Sequence, residues 1–114
     1  MDYLAKLRKG RESKVEVGGF VFTIRRPTDL EAIDLQTVTS TLDGVRQVLR
    51  FVVDWHGVKG TDIVPDGEDK AVPFDSELFA MWVEDQPAIW GDLVAAVYER
   101  YTTFTETRDD AGNG

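Results

Sequence analysis

The chain has no cysteine among its 114 residues and a single histidine, His56. Disulfides, thiolate metal sites and a cysteine nucleophile are excluded together, and one imidazole cannot build a two-histidine metal centre. Long hydrophobic runs are missing too, since no apolar stretch approaches the ~18 residues of a membrane-spanning helix. The start, Met1-Asp2-Tyr3-Leu4-Ala5-Lys6, lacks the basic and apolar segments of a secretory signal, so a cytoplasmic protein is expected. Basic charge is scarce: 13 Lys and Arg face 21 Asp and Glu, for a net charge of -8. What basic charge there is gathers at the front. Residues 1–26 carry Lys6, Arg8, Lys9, Arg11, Lys14, Arg25 and Arg26 against three acidic groups, and the remaining body is strongly acidic. Such a body repels phosphate backbones, so neither nucleic acid nor membrane is an expected partner.

What is present is enough for one domain: 42 % hydrophobic residues in a chain of this length can bury a core without staples. Lys14-Val15-Glu16-Val17 alternates, Gly18-Gly19 supplies a two-residue turn, and Phe20-Val21-Phe22-Thr23-Ile24-Arg25 resumes with strand-forming residues, which predicts a β-hairpin over about 14–25. An isolated hairpin is marginal in water and must pack on something, here expected to be helical. Pro27 ends the second strand. Thr28-Asp29-Leu30-Glu31 has the capping-box spacing and opens a helix, which Thr39-Ser40-Thr41 interrupts. The stripe Leu42, Val45, Val48, Leu49, Val52, Val53 and Trp55 predicts a stronger helix stopping near His56-Gly57. Residues 57–74, rich in glycine, proline and acidic side chains, read as a long loop or arm. Asp75 is placed to cap another helix, and Pro87 to open the last one, whose stripe runs Ile89, Trp90, Leu93, Val94, Val97, Tyr98 and Tyr101. The polar residues 105–114 read as a disordered tail beyond a single domain of residues 1–104. The expected class is therefore mainly α, of the α+β kind, with about four helices and a small N-terminal hairpin.

No constellation supports catalysis. Glu68-Asp69 and Asp109-Asp110 fall in loop and tail, where water keeps carboxyl groups near their ordinary acidity. Asp62 to Asp69 invites a calcium-loop reading, but with Asp66-Gly67 at the fifth and sixth loop positions Val64 occupies the third and Pro73 the twelfth, where the bidentate glutamate belongs. Ser13, Ser40 and Ser76 are the only serines and none lies in a nucleophile elbow. The chain is therefore expected not to be an enzyme and to hold no metal or cofactor. Its salient feature is aromatic weight in the helical part. Most of these side chains belong to the core, and a subset is expected to grip an amphipathic partner helix, with Phe79, Trp82, Trp90 and Tyr98 as the candidate anchors.

The order and spacing of Gly19-Phe20-Val21-Phe22-Thr23-Ile24-Arg25-Arg26-Pro27-Thr28-Asp29-Leu30-Glu31, of Phe51-Val52-Val53-Asp54-Trp55-His56-Gly57-Val58, and of Val72-Pro73-Phe74-Asp75-Ser76-Glu77-Leu78-Phe79 with Trp82, Pro87 and Trp90 resemble the small tail assembly chaperones of long-tailed bacteriophages and prophages. The resemblance covers about residues 18–101. It implies a mostly helical protein of the host bacterial cytoplasm that binds the long helical tape-measure protein, passes it to tail tube protein subunits and is absent from the finished particle. Many such chaperones also have a longer, frameshifted form. The alternative is a structural minor tail or head-to-tail connector subunit retained in the particle. Homo-oligomerisation is left open by the sequence. Because neither His56 nor the Asp62–Asp69 segment supplies a ligand set, the melting temperature is expected to be the same with chelator, calcium or zinc; a shift of more than a few degrees would contradict this, since a metal bound only by the native state must stabilise it.

Overall fold

A computed structural model describes residues 1–113, with side chains through Ala111. The chain is α+β, with nine elements in order: α1 (Tyr3–Gly10), β1 (Glu12–Val17), β2 (Phe20–Arg25), α2 (Asp29–Gln36), α3 (Thr41–Leu49), β3 (Val52–His56), α4 (Gly60–Ile63), α5 (Ser76–Val83) and α6 (Pro87–Asn113). There are six helices among the described residues where about four were expected. The hairpin is where the alternation places it, with Val17 opposite Phe20 and both Gly18 and Gly19 at positive φ, as a turn with two left-handed central residues requires. Its tip packs closely on the start of α6, since a Cβ on Gly18 would lie 3.0 Å from the Ile89 side chain.

The hairpin is completed by a strand that the periodicity hides. The predicted helix over residues 42–55 stops at Leu49, capped by Arg50, and Val52–His56 turns into β3 beside β2, with Phe22 opposite Trp55 and Ile24 opposite Val52. Two facts favour this arrangement. The run Phe51-Val52-Val53 is aromatic and β-branched, which suits a pleated surface. The open edge of β2 would otherwise leave backbone groups unpaired. An irregularity between Thr23 and Ile24 shifts the register, so that Val52 and Trp55 both turn inward at a spacing of three. That spacing is also the helical one, hence the misreading. Gly57 has the positive φ expected of a terminator, but it terminates β3, not a helix.

The segment after β3 is no free arm. Lys59 and Ala71 bridge as a miniature sheet, α4 forms a single turn inside it, and a Cβ on Gly67 would collide with the Gly60 carbonyl. Two indoles bind it from within: Trp55 Nε1–H donates to the Val72 carbonyl at 2.7 Å and Trp82 Nε1–H to the Asp62 carbonyl at 3.1 Å. Two caps are as expected: Thr28 and Glu31 form a reciprocal capping box on α2, and Asp75 caps α5. Ser40, expected only to interrupt a helix, caps α3. At the C-terminal end, the residues expected to be disordered continue α6 as helix through Asn113, with Arg108 paired to Asp29; Gly114 lies outside the described residues.

The core lies between the sheet and helices α3, α5 and α6. Its centre is aromatic: Trp55 meets Trp82 at 5.7 Å and 82°, and Phe74 at 5.4 Å and 86°, while Phe22 meets Phe79 at 6.0 Å and 64°. These edge-to-face contacts add to plain area burial. Phe79 and Trp82 are 2 % and 8 % exposed, so both are core residues and neither is available as a partner anchor. Truncating Trp82 to alanine should cost about 3–5 kcal/mol of unfolding free energy, read as a drop in the urea midpoint at unchanged slope; a loss below about 1 kcal/mol would contradict its place in the core.

Candidate functional site

Helix α2 has little apolar stripe of its own, and polar contacts hold it in place. Arg25, at the end of β2, forks onto Glu31 with hydrogen bonds of 2.8 and 2.9 Å, and the same guanidinium sits 4.4 Å over the Phe51 ring. At the helix N-terminus Asp29 accepts from the Tyr101 hydroxyl at 2.8 Å and pairs with Arg108, both on α6. Helix α2 is thus fixed at two points while its body stands off α6. The break at residues 37–40 then leads into α3, which packs on α6.

Between α2–α3 and α6 runs a furrow with two lobes. One, of about 310 Å³, is lined by Val38, Val45, Val48 and Val94. The other, of about 370 Å³, is lined by Pro27, Ala32 and Tyr101. Leu35 and Tyr98 belong to both lobes and join them. No charged side chain lines either lobe, although 30 % of the chain is charged. A cavity of about 280 Å³ between α3 and α5 differs in this respect, being edged by Arg46, Arg50 and Glu84, with Arg46 and Glu84 paired at 3.2 Å. Leu30, Ile33 and Leu42 stand exposed on the same two helices that form one wall of the furrow. Thr39, Ser40, Thr41 and Gln36 also line the furrow, which is neutral throughout, with an aliphatic and aromatic part and a hydroxyl- and amide-bearing part. Concave surface of this composition suits a ligand with apolar groups and few charges.

Of the four candidate anchors only Phe79 and Trp82 come together, their rings 6.5 Å apart, and they do so inside the core. Phe79 and Trp82 are interior, Trp90 is half-buried against the core, and Tyr98 alone opens on the furrow, 46 % exposed. The furrow's other walls, Leu35, Val38, Val45 and Val94, escaped selection because they are small and aliphatic. A usable signal did exist in Leu35-Gln36-Thr37-Val38-Thr39-Ser40-Thr41-Leu42, which carries no charge in a highly charged chain. A second apolar surface lies on α1, which buries none of its residues and leaves Tyr3, Leu4 and Leu7 exposed on one side of a basic helix. With α1 and the far end of the ~40 Å α6 projecting, the radius of gyration is 15.7 Å, above the ~13 Å of a compact chain of this length.

Among the described residues no three His, Asp or Glu side chains gather as a metal-ligating group, and His56 is exposed with Asp54 at 3.7 Å. No family model, curated protein or solved structure matches the chain.

The clamp on α2 makes the furrow wall sensitive to acid. The forked Arg25 bonds, aided by the Thr28 backbone N–H and opposed by partial burial, hold the Glu31 carboxyl at about 2, against an ordinary 4.5. A carboxyl depressed in the folded state stabilises it above the unfolded value and loses that contribution as pH falls. The melting temperature is therefore expected to fall between about pH 4.5 and 2, and Glu31→Gln to be less stable near neutrality and flatter across that window. An unchanged slope in Glu31→Gln would contradict this.

Proposed function

We propose that this protein is a tail assembly chaperone that holds an amphipathic helix of the tape-measure protein in the furrow between α2–α3 and α6 until tail tube subunits take it over. The observation that carries the proposal is the uncharged lining of that furrow, with Leu35 and Tyr98 bridging its two lobes. A helix about 10 Å across presents apolar side chains one and two turns apart, and such side chains are what a furrow of this kind receives. An exposed long helix aggregates unless covered, and a net charge of -8 keeps a complex with its cover in solution. The resemblance over residues 18–101 supplies the client's identity. Binding is assigned to Tyr98 with Leu35, Val38, Val45 and Val94, and no tryptophan lines the furrow. No catalytic step is assigned.

The test is co-expression with a tape-measure protein, the client that the resemblance implies. Tyr98→Asp and Val38→Asp should abolish co-purification, by at least tenfold, while melting within a few degrees of wild type, because both positions are solvent-accessible. Failure of the wild type to retain that protein, or full retention by both variants, would overturn the assignment. Recovery of the chain in stoichiometric amount from purified particles would favour the connector subunit instead.

A further inference from the structure

On the side of α6 away from the furrow, its C-terminal half faces the α1–β1 junction across a cleft of about 290 Å³. Arg100, Thr103, Phe104 and Thr107, spaced by three and four residues, share the helix face that lines it. Arg11 and Arg26 stand opposite, held side by side by the Arg26 backbone N–H donating to the Arg11 carbonyl at 2.8 Å. Three arginines thus line one cleft in a chain whose acidic side chains outnumber its basic ones.

None of the three is neutralised within the described residues. Arg25, Arg46 and Arg108 each pair with a carboxylate, whereas Arg11, Arg26 and Arg100 form no ion pair. Glu12 borders the cleft, but strand alternation turns its side chain to solvent while Ser13 turns inward. The neighbouring acids Glu99 and Glu106 lie off the 100–103–104–107 face of α6 and are exposed. Arg100 Nε is buried with no hydrogen-bond partner among these residues. Arg26 is committed in part, its plane 3.4 Å over the Phe104 ring and Nη1–H donating to the Pro27 carbonyl at 3.1 Å. Burial first, and the Arg11 charge second, lower the affinity of the Arg26 guanidinium for its proton, with Asp29 partly offsetting both. Like charges held together cost stability, and an anion bound between them would relieve that repulsion.

We propose that the cleft is an oxyanion-binding site, taking a phosphate or a side-chain carboxylate through forked hydrogen bonds from Arg11 and Arg100, with the Ser13 and Thr103 hydroxyls available for the remaining oxygen. Guanidinium forks match both anions, so the chemistry is shared, and the source is either a free phosphate or an acidic stretch of polypeptide.

The experiment is thermal unfolding of the full chain in sodium chloride, in inorganic phosphate and with a short glutamate-rich peptide, at matched ionic strength. At least one of the last two should raise the melting temperature by several degrees in a saturable way, as ligand binding to the native state requires. A rise with phosphate but not with the peptide identifies a free phosphate; a larger rise with the peptide identifies a polypeptide carboxylate. Arg100→Gln and Arg11→Gln should each lose most of that rise. In chloride, Arg11→Gln should melt no lower than wild type, because it removes a repulsion; a purely structural Arg11 would melt lower. Equal melting in all three media, or an undiminished rise in both variants, would overturn the proposal.

Discussion

Trp55 is the side chain on which the rest of the molecule depends. It stands on β3 opposite Phe22, its indole edge meets Trp82, Phe74 and Phe79, and its N–H ends on the Val72 carbonyl. One residue thereby ties the sheet, the excursion between β3 and α5, and α5 itself. A buried indole whose donor lacked a partner would cost on the order of 1–3 kcal/mol, which is why the excursion is held close. With α5 fixed, Pro87 starts α6 in a direction that lays Leu93 and Val97 in the core and leaves Val94 and Tyr98 at its margin. The furrow is the space that this direction leaves in front of α2 and α3.

Charge shapes the two sides of α6 differently. Toward α2, the fixed carboxylates are engaged: Glu31 by Arg25, and Asp29 by Tyr101 and Arg108. The furrow between them is lined by neutral residues. Toward α1 and β1, Arg11, Arg26 and Arg100 line a cleft and form no ion pair, although Glu12 borders it, and the Phe104 ring stacks under Arg26. A neutral furrow and an arginine-lined cleft thus lie on opposite faces of one helix, and under the proposed function they would offer a client two kinds of contact, area from one and orientation from the other. Electrostatic contacts of the second kind set register and rate of encounter more than affinity.

Much of this was legible in residue order. The Gly18-Gly19 turn, the Thr28/Glu31 box, the Asp75 cap and the Pro87 start are local rules, and local rules need no knowledge of the fold. β3 was not legible, because the irregularity at Thr23/Ile24 lets Val52 and Trp55 point inward together at a spacing that a helix shares. Helix α1 escaped because its apolar side faces solvent and its charges dominate the composition. Of the candidate anchors only Tyr98 lies in the furrow. Size alone selected Phe79 and Trp82, and large aromatics are what a core takes first. Val45 on α3 and Val94 on α6 form part of the furrow's wall, and nothing in their identity separates them from core valines such as Val48 and Val97; only the placement of the helices leaves them partly open.

The most direct measurement of the central claim is amide chemical-shift mapping of the labelled chain on addition of an amphipathic helical segment of the proposed tape-measure client. Binding in the furrow predicts shifts concentrated at Leu35, Val38, Val45, Val94 and Tyr98, with Phe79 and Trp82 changed little. Shifts confined to α1 or α5, or none at saturating peptide, would contradict the account.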